Sequence, residues 1–221
     1  MPRRELDLRL FFDLDGPILD VSRRYFRVHS RIVQELGGAP GDEIAFWEAK
    51  RARRSVRDVL TAEGSTRVDV VRYQKLWLER IESEEYLESD RLQPDALVHL
   101  QSLLGEGKLD LVTLRQRPEL VRGQLERFGL SHLFEHVLIA DPVRPAGWQA
   151  KSDLMRSAGA IAGNWIVGDT EVDIRAGKAL GMTTVGVLCG IRDRVRLEDD
   201  DPDFIIGGIG ELKSLVSGGQ T

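Results

Sequence analysis

Between Lys108 and Gly207, five short apolar runs rich in β-branched residues alternate with stretches of helical periodicity, and this alternation constrains the fold more than any other feature. The runs are KLDLVTL (Lys108–Leu114), HVLIA (His136–Ala140), NWIVGD (Asn164–Asp169), MTTVGVL (Met182–Leu188) and DFIIG (Asp203–Gly207). A sixth, DLRLFFD, spans Asp7–Asp13. Strands that each return through a helix pair in parallel, so the pattern predicts an α/β fold: a Rossmann-like parallel sheet of six strands flanked by helices. PELVRGQLERF supplies one such helix, with Pro118 in its first turn and Gly129 just past its end, and PDALVHLQSLLGEG follows the same plan.

The stretch 21–88 differs, with helical periodicity and no comparable strand, and reads as an inserted helical cap. The expected division is a core of residues 1–20 and 89–221 and a cap of residues 21–88, which suits 221 residues. With 42% hydrophobic and 30% charged residues the composition is that of a globular chain. A net charge of −5 argues against nucleic acid or an anionic membrane as partner, because both need a positive field. MPRRELDLRL lacks a signal-peptide core, and the uncharged run Ala179–Ile191 is too short to span a bilayer. Cys189 is the one cysteine and reads as a small buried thiol, so a reducing cytoplasmic setting is expected. No feature of the sequence sets an oligomeric state.

The ends of the predicted strands carry the chemistry. FFDLDG places Asp13 and Asp15 where a strand stops, although two carboxylates so close repel each other and are costly to desolvate. VGDTEVDI places Asp169 at another strand end and Asp173 four residues later. Ligands of open parallel sheets bind beyond the carboxyl ends of the strands, so these acids can share one crevice. Hard oxygen donors without nearby His or Cys favour Mg²⁺. Thr113, at the end of KLDLVTL, offers a hydroxyl beside a backbone N–H, and Lys151 follows the loop after HVLIA.

In this order the segments resemble the haloacid dehalogenase superfamily, in its phosphatase branch with a helical cap, similar to phosphoglycolate phosphatases and β-phosphoglucomutases. FFDLDG resembles the first motif of that family, LVT the second, Lys151 the third and VGDTEVDI the fourth. The resemblance implies a small phosphorylated substrate and Asp13 as the nucleophile that becomes transiently phosphorylated. It implies Asp15 as general acid and then base, and Thr113 and Lys151 as holders of the phosphoryl oxygens. Mg²⁺ would be bound by Asp13, the backbone carbonyl of Asp15 and Asp169, with Asp173 in support. A phosphomutase or a catalytically inactive binding protein of the same family are the alternatives.

Two departures stand out: Leu114 and Arg115 replace the more familiar polar residue and lysine, and Pro17 follows the first-motif glycine. Proline should push Gly16 toward an extended conformation. In the cap, KRARRSVRDVL reads as one helix with Lys50, Arg51, Arg54 and Arg57 opposite an apolar stripe. Such a charged face is most simply solvated, and the acidic run ERIESEEYLESD reads the same way. The functional alternative has Lys50 and Arg54 contacting an anionic part of the substrate. HLFEH (His132–His136) matches a zinc-binding pattern but runs into a strand, so its two histidines need not share a face.

Overall fold

The computed structural model describes residues 8–141 and 147–218, so Asp7, the expected start of the first strand, lies outside the described residues. Six strands form one sheet: β1 (Arg9–Phe12), β4 (Lys108–Thr113), β5 (His136–Ile139), β6 (Trp165–Gly168), β7 (Thr183–Val187) and β8 (Phe204–Ile206). Their order is β5-β4-β1-β6-β7-β8, and every pairing is parallel. Each expected strand is present, trimmed by a residue or so at its ends.

In β1, Leu10, Phe11 and Phe12 are all fully buried, because helices cover both faces of a parallel sheet. Alternation sends Phe11 to one face, with Val112, Met155 and Ile166, and Leu10 and Phe12 to the other, with Leu109, Leu111 and Val167. The helices are α6 (Ala96–Leu103), α7 (Pro118–Arg127), α8 (Trp148–Ser157), α9 (Glu171–Lys178), α10 (Arg194–Glu198) and α11 (Leu212–Gly218). Because β1 pairs with β4 on one side and β6 on the other, the three central strands discharge their loops at one place.

Two short strands, β2 (Leu19–Asp20) and β3 (Arg91–Leu92), pair antiparallel and bracket the helical insertion. It contains α1 (Ser22–Glu35), α2 (Glu43–Arg51), α3 (Val56–Ala62), α4 (Val70–Arg80) and α5 (Glu84–Leu87). The insertion has its own apolar cluster, in which Val28, Ile32 and Val33 of α1 meet Leu60, Tyr73 and Tyr86. KRARRSVRDVL is not one helix: α2 stops at Arg51, Arg53 sits at φ 57°, and Ser55 caps a new helix. The Ser55 side chain and Asp58 satisfy each other's backbone N–H groups, which makes this restart favourable.

The basic run at that break is not simply solvated. Arg51 donates to the Gly190 carbonyl at 2.6 Å, Arg53 pairs with Glu171 at 3.4 Å, and Arg196 donates to the Ala52 carbonyl at 3.1 Å. These bonds fasten the insertion to the loop that follows β7 and to α9 and α10. The acidic run is likewise corrected at its end, where the Asp90 side chain is fully buried. HLFEH forms a 3-10 turn and then enters β5, where the His136 ring meets Asp110 at 2.8 Å.

Candidate active site

Asp13 follows β1, and its N–H donates to the Val167 carbonyl at 2.9 Å, which extends the ladder toward β6 and fixes where the side chain emerges. Its carboxylate meets the Lys151 ammonium at 2.8 Å. Lys151, buried in the first turn of α8, also pairs with Asp173. The Asp173 carboxylate accepts from the Thr170 N–H at 3.0 Å and hydroxyl at 2.7 Å, capping α9, so its position is set by the helix it starts. Asp169, one residue past β6, is fully buried. One oxygen accepts from the Ile191 N–H, and the other, Oδ1, has no hydrogen-bond partner among the described residues.

Ligand oxygens of Asp13, Asp169 and Asp173 lie within 4.8 Å of one another. Three carboxylates against the one Lys151 ammonium leave two negative charges uncompensated at this spot. The excess is visible in the titration of the acids. Burial, opposed by Lys151 and aided by Asp173 and Asp15, pushes Asp13 up to about 7. Burial and the charges of Asp13 and Asp173 raise Asp169 well above the usual carboxylate range. Lys151 is driven upward by the same two neighbours, Asp13 and Asp173, against its own burial. A buried, unpartnered oxygen, an all-oxygen donor set and a charge excess of two fit a hard divalent cation.

Asp15 stands apart from this cluster. Its carboxylate receives Arg115 through Nε at 3.1 Å and through Nη2, and Arg24 of α1 at 2.8 Å. Burial alone would raise its pKa, but the two guanidiniums hold it well below the usual range. Arg115 also pairs with Asp90 at 3.0 Å and bonds Gln124 of α7, so the clamp is anchored in the core. The Asp15 side chain is thus taken up by guanidiniums and is not part of the carboxylate cluster.

Between the two acids and the insertion lies a tight turn. Gly16 adopts φ 101°, not the extended conformation expected before Pro17, and its N–H donates to the Leu19 carbonyl at 2.9 Å. A Cβ at Gly16 would collide with the Asp169 carboxylate, so the glycine is needed for close approach. Thr113, at the end of β4, is buried, and its hydroxyl accepts from the Arg115 N–H at 3.3 Å. Cys189 is a partly buried thiol, pushed up to about 12 by burial and by Asp169, as expected of a packing residue.

Lys50 and Arg54 face one cavity of about 390 Å³ inside the helical insertion. The Lys50 ammonium sits 5.1 Å from the centre of the Trp77 ring and 5.4 Å from that of Tyr25, turned inward rather than solvated. Burial, assisted by Arg192, pushes it down to about 8.

This parallel sheet, with carboxylates gathered beyond the ends of its central strands, defines an α/β protein with an acidic crevice. A sequence profile described as haloacid dehalogenase-like hydrolase matches residues 10–187, and the chain belongs to that family, in its phosphatase branch. It is 27% identical over 217 residues to a phosphoglycolate phosphatase of Neisseria meningitidis, covering 91% of this chain and 90% of the relative. It is 25% identical to the phosphoglycolate phosphatase of Pseudomonas putida, covering 95% of this chain and 78% of that protein. Among solved structures, a haloacid dehalogenase-like family hydrolase of Streptococcus pneumoniae superposes with a TM-score of 0.74 at 18% identity, covering 94% and 97% of the two chains. No helix among the described residues is long and apolar enough to cross a membrane.

The residues that sequence reasoning missed are Arg24, Asp90 and the role of Arg115. Arg24 had a signal, since it lies four and eight residues before Val28 and Ile32 and so shares the buried face of α1. Asp90 had none: it ends an acidic run, and only its long-range meeting with Arg24 and Arg115 makes it a core residue.

Proposed function

We propose that the protein is a Mg²⁺-dependent phosphatase that hydrolyses a small phosphorylated metabolite in the cytoplasm through an aspartyl-phosphate on Asp13. Residues 1–20 and 89–221 serve as the catalytic core and residues 21–88 as the cap that selects the substrate. The observation that carries this reading is the cluster of Asp13, Asp169 and Asp173 within 4.8 Å, with Lys151 between two of them. Asp13, Asp169 and the backbone carbonyl of Asp15 would hold Mg²⁺, with Asp173 in support. When bound, the ion neutralises the repulsion between an anionic nucleophile and an anionic ester.

The chain's own residues then divide the work. An Asp13 carboxylate oxygen attacks phosphorus, and the bond to the ester oxygen breaks. Asp15, protonated at the start of the cycle, delivers its proton to that departing oxygen, and the carboxylate left behind takes one from the water whose attack on phosphorus releases Asp13 and inorganic phosphate, which restores the starting form. Arg115 and Arg24 favour the ionised form of Asp15, which accepts the proton from water, and work against the protonated form that the first step needs. The Thr113 hydroxyl and the Lys151 ammonium hold the phosphoryl oxygens as charge shifts between them.

Phosphate release from a panel of metabolite esters, with and without Mg²⁺ and with Asp13→Asn as the paired variant, tests the reading. Release should require the metal and vanish in the variant, and the wild type quenched during turnover should carry one phosphoryl group on Asp13 by peptide mass. Undiminished release from Asp13→Asn would end this assignment.

A further inference from the structure

The cavity in the helical insertion is larger than a two-carbon acid needs. At about 390 Å³ it falls in the range of pockets that enclose drug-sized molecules. The five heavy atoms of glycolate, at about 30 Å³ each if packed like water, would leave more than half of it empty. Its lining includes the aromatic Phe46, Tyr73 and Trp77 and the buried Val59. His29 also lines it but is already satisfied: its ring stacks on Phe46 at 4.3 Å and bonds the Tyr73 hydroxyl at 2.8 Å and Glu63 at 2.9 Å.

Two lining residues remain without such partners. Neither Lys50 nor Arg54 makes a side-chain ion pair with another described residue, and Lys50 is held only over the faces of Tyr25 and Trp77. An ammonium on an aromatic floor without a carboxylate is a site with charge to spare for an anion. None of the acids lines the cavity, but Lys50, which does, is linked to them through other side chains. Tyr25, against which Lys50 rests, stacks edge-on with Trp77 at 5.3 Å and lies beneath Arg24, which binds Asp15. On the other side, Arg192 donates to the Lys50 carbonyl at 3.3 Å and pairs with Glu171, two residues from Asp169 and from Asp173. Lys50 thus joins the cavity wall to two chains of contacts, one ending on Asp15 and the other on Glu171.

We propose that this cavity receives the organic part of the substrate, and that this part is a ring-sized apolar body ending in a carboxylate, held by Lys50 and Arg54 over the Trp77 face. The inference rests on the phosphatase reading above and deepens it, since it separates this chain from an enzyme built for a two-carbon ester. A body of this kind fills the aromatic wall, and its carboxylate supplies the anion that the two cations lack.

The test compares para-carboxybenzyl phosphate, benzyl phosphate and phosphoglycolate as substrates, with acetyl phosphate, which has nothing to place in the cavity, as the control. The expected order of kcat/KM is carboxybenzyl above benzyl above phosphoglycolate, with about tenfold or more between the first and last. Binding is read separately, by calorimetry and tryptophan fluorescence, with para-(hydroxymethyl)benzoate titrated into the Asp13→Asn protein. Gln74→Trp, an exposed rim position with no part in holding the ester, should block entry. Val59→Phe should fill part of the cavity, and both should weaken benzoate binding about tenfold or more while acetyl phosphate turnover persists. Absence of benzoate binding, binding indifferent to both changes, or phosphoglycolate as the preferred ester would overturn the inference. Benzoate binding with no turnover of any ester, acetyl phosphate included, would uphold the cavity and sink the phosphatase reading.

Discussion

Neutralising the proposed nucleophile should make the metal-free protein more stable, and the size of the gain can be worked from its surroundings. Burial and the neighbouring acids raise Asp13 from the ordinary 3.8 to about 7 in the absence of a cation. The folded protein then holds a proton on Asp13 more tightly than the unfolded chain does. Stability from this group is full below 3.8 and is lost as pH rises through about 7. At about 1.4 kcal/mol per unit, the loss comes to about 4 kcal/mol above neutrality. Asp13→Asn mimics the protonated acid and keeps Lys151 paired with Asp173, so it escapes the loss. In a chain of this length about 4 kcal/mol corresponds to a Tm increase of about 10 °C. The assay is thermal unfolding followed by circular dichroism in EDTA, for wild type and variant, at about pH 4 and about pH 8. The variant should melt about 10 °C higher at the alkaline pH and almost level with wild type at the acid one. Added Mg²⁺ should raise the wild-type Tm more at the alkaline pH, where it meets ionised carboxylates. A variant equal to or weaker than wild type near pH 8 in EDTA would refute the account of an overcharged cluster.

Two further expectations concern the arginines and Lys50. Arg115→Met takes one of two guanidiniums from both Asp15 and the buried Asp90, leaving each to Arg24, which should cost about 3 kcal/mol and lower Tm by about 10 °C. A loss under about 2 °C would show that the network is not a stabilising one. Lys50, pushed down to about 8, loses its charge as pH rises through that value, so kcat/KM for para-carboxybenzyl phosphate should fall there while that for benzyl phosphate holds level. Parallel profiles for the two esters would exclude Lys50 as the partner of the carboxylate.

Much of this architecture was legible because it is written locally. KLDLVTL or NWIVGD ends where helical periodicity begins, and an acid just past a strand end can be assigned to the crevice without any distance in hand. Of the four acids so assigned, Asp13, Asp169 and Asp173 meet, with Lys151 joining them from the start of α8, while the Asp15 side chain turns to Arg115 and Arg24. The insertion was harder. Its basic run has helical periodicity throughout, and the break at Arg53 needs a left-handed residue that no glycine announces. The signal that was available is Ser55-Val56-Arg57-Asp58, a capping box that marks a helix start. Arg24, Asp90 and Arg115 were not legible as a group, because the ion pairs among them and Asp15 join residues up to 100 positions apart. Periodicity can say that a charged side chain faces inward, but not which charge will meet it there.

Asp13 and Asp15 are two residues apart and titrate in opposite directions, for reasons that lie wholly in what each side chain faces. Asp13 looks toward two further acids and a single ammonium, so it is raised; Asp15 looks toward two guanidiniums, so it is lowered. Environments that push paired carboxylates apart are how one site assigns them different tasks. The first is the group that a cation would reverse, because a divalent charge among Asp13, Asp169 and Asp173 would favour its ionised form. The second needs no metal to be ionised, since one of its guanidiniums comes from the core and the other from the insertion. Arg24 therefore ties the charge state of Asp15 to the seating of the insertion.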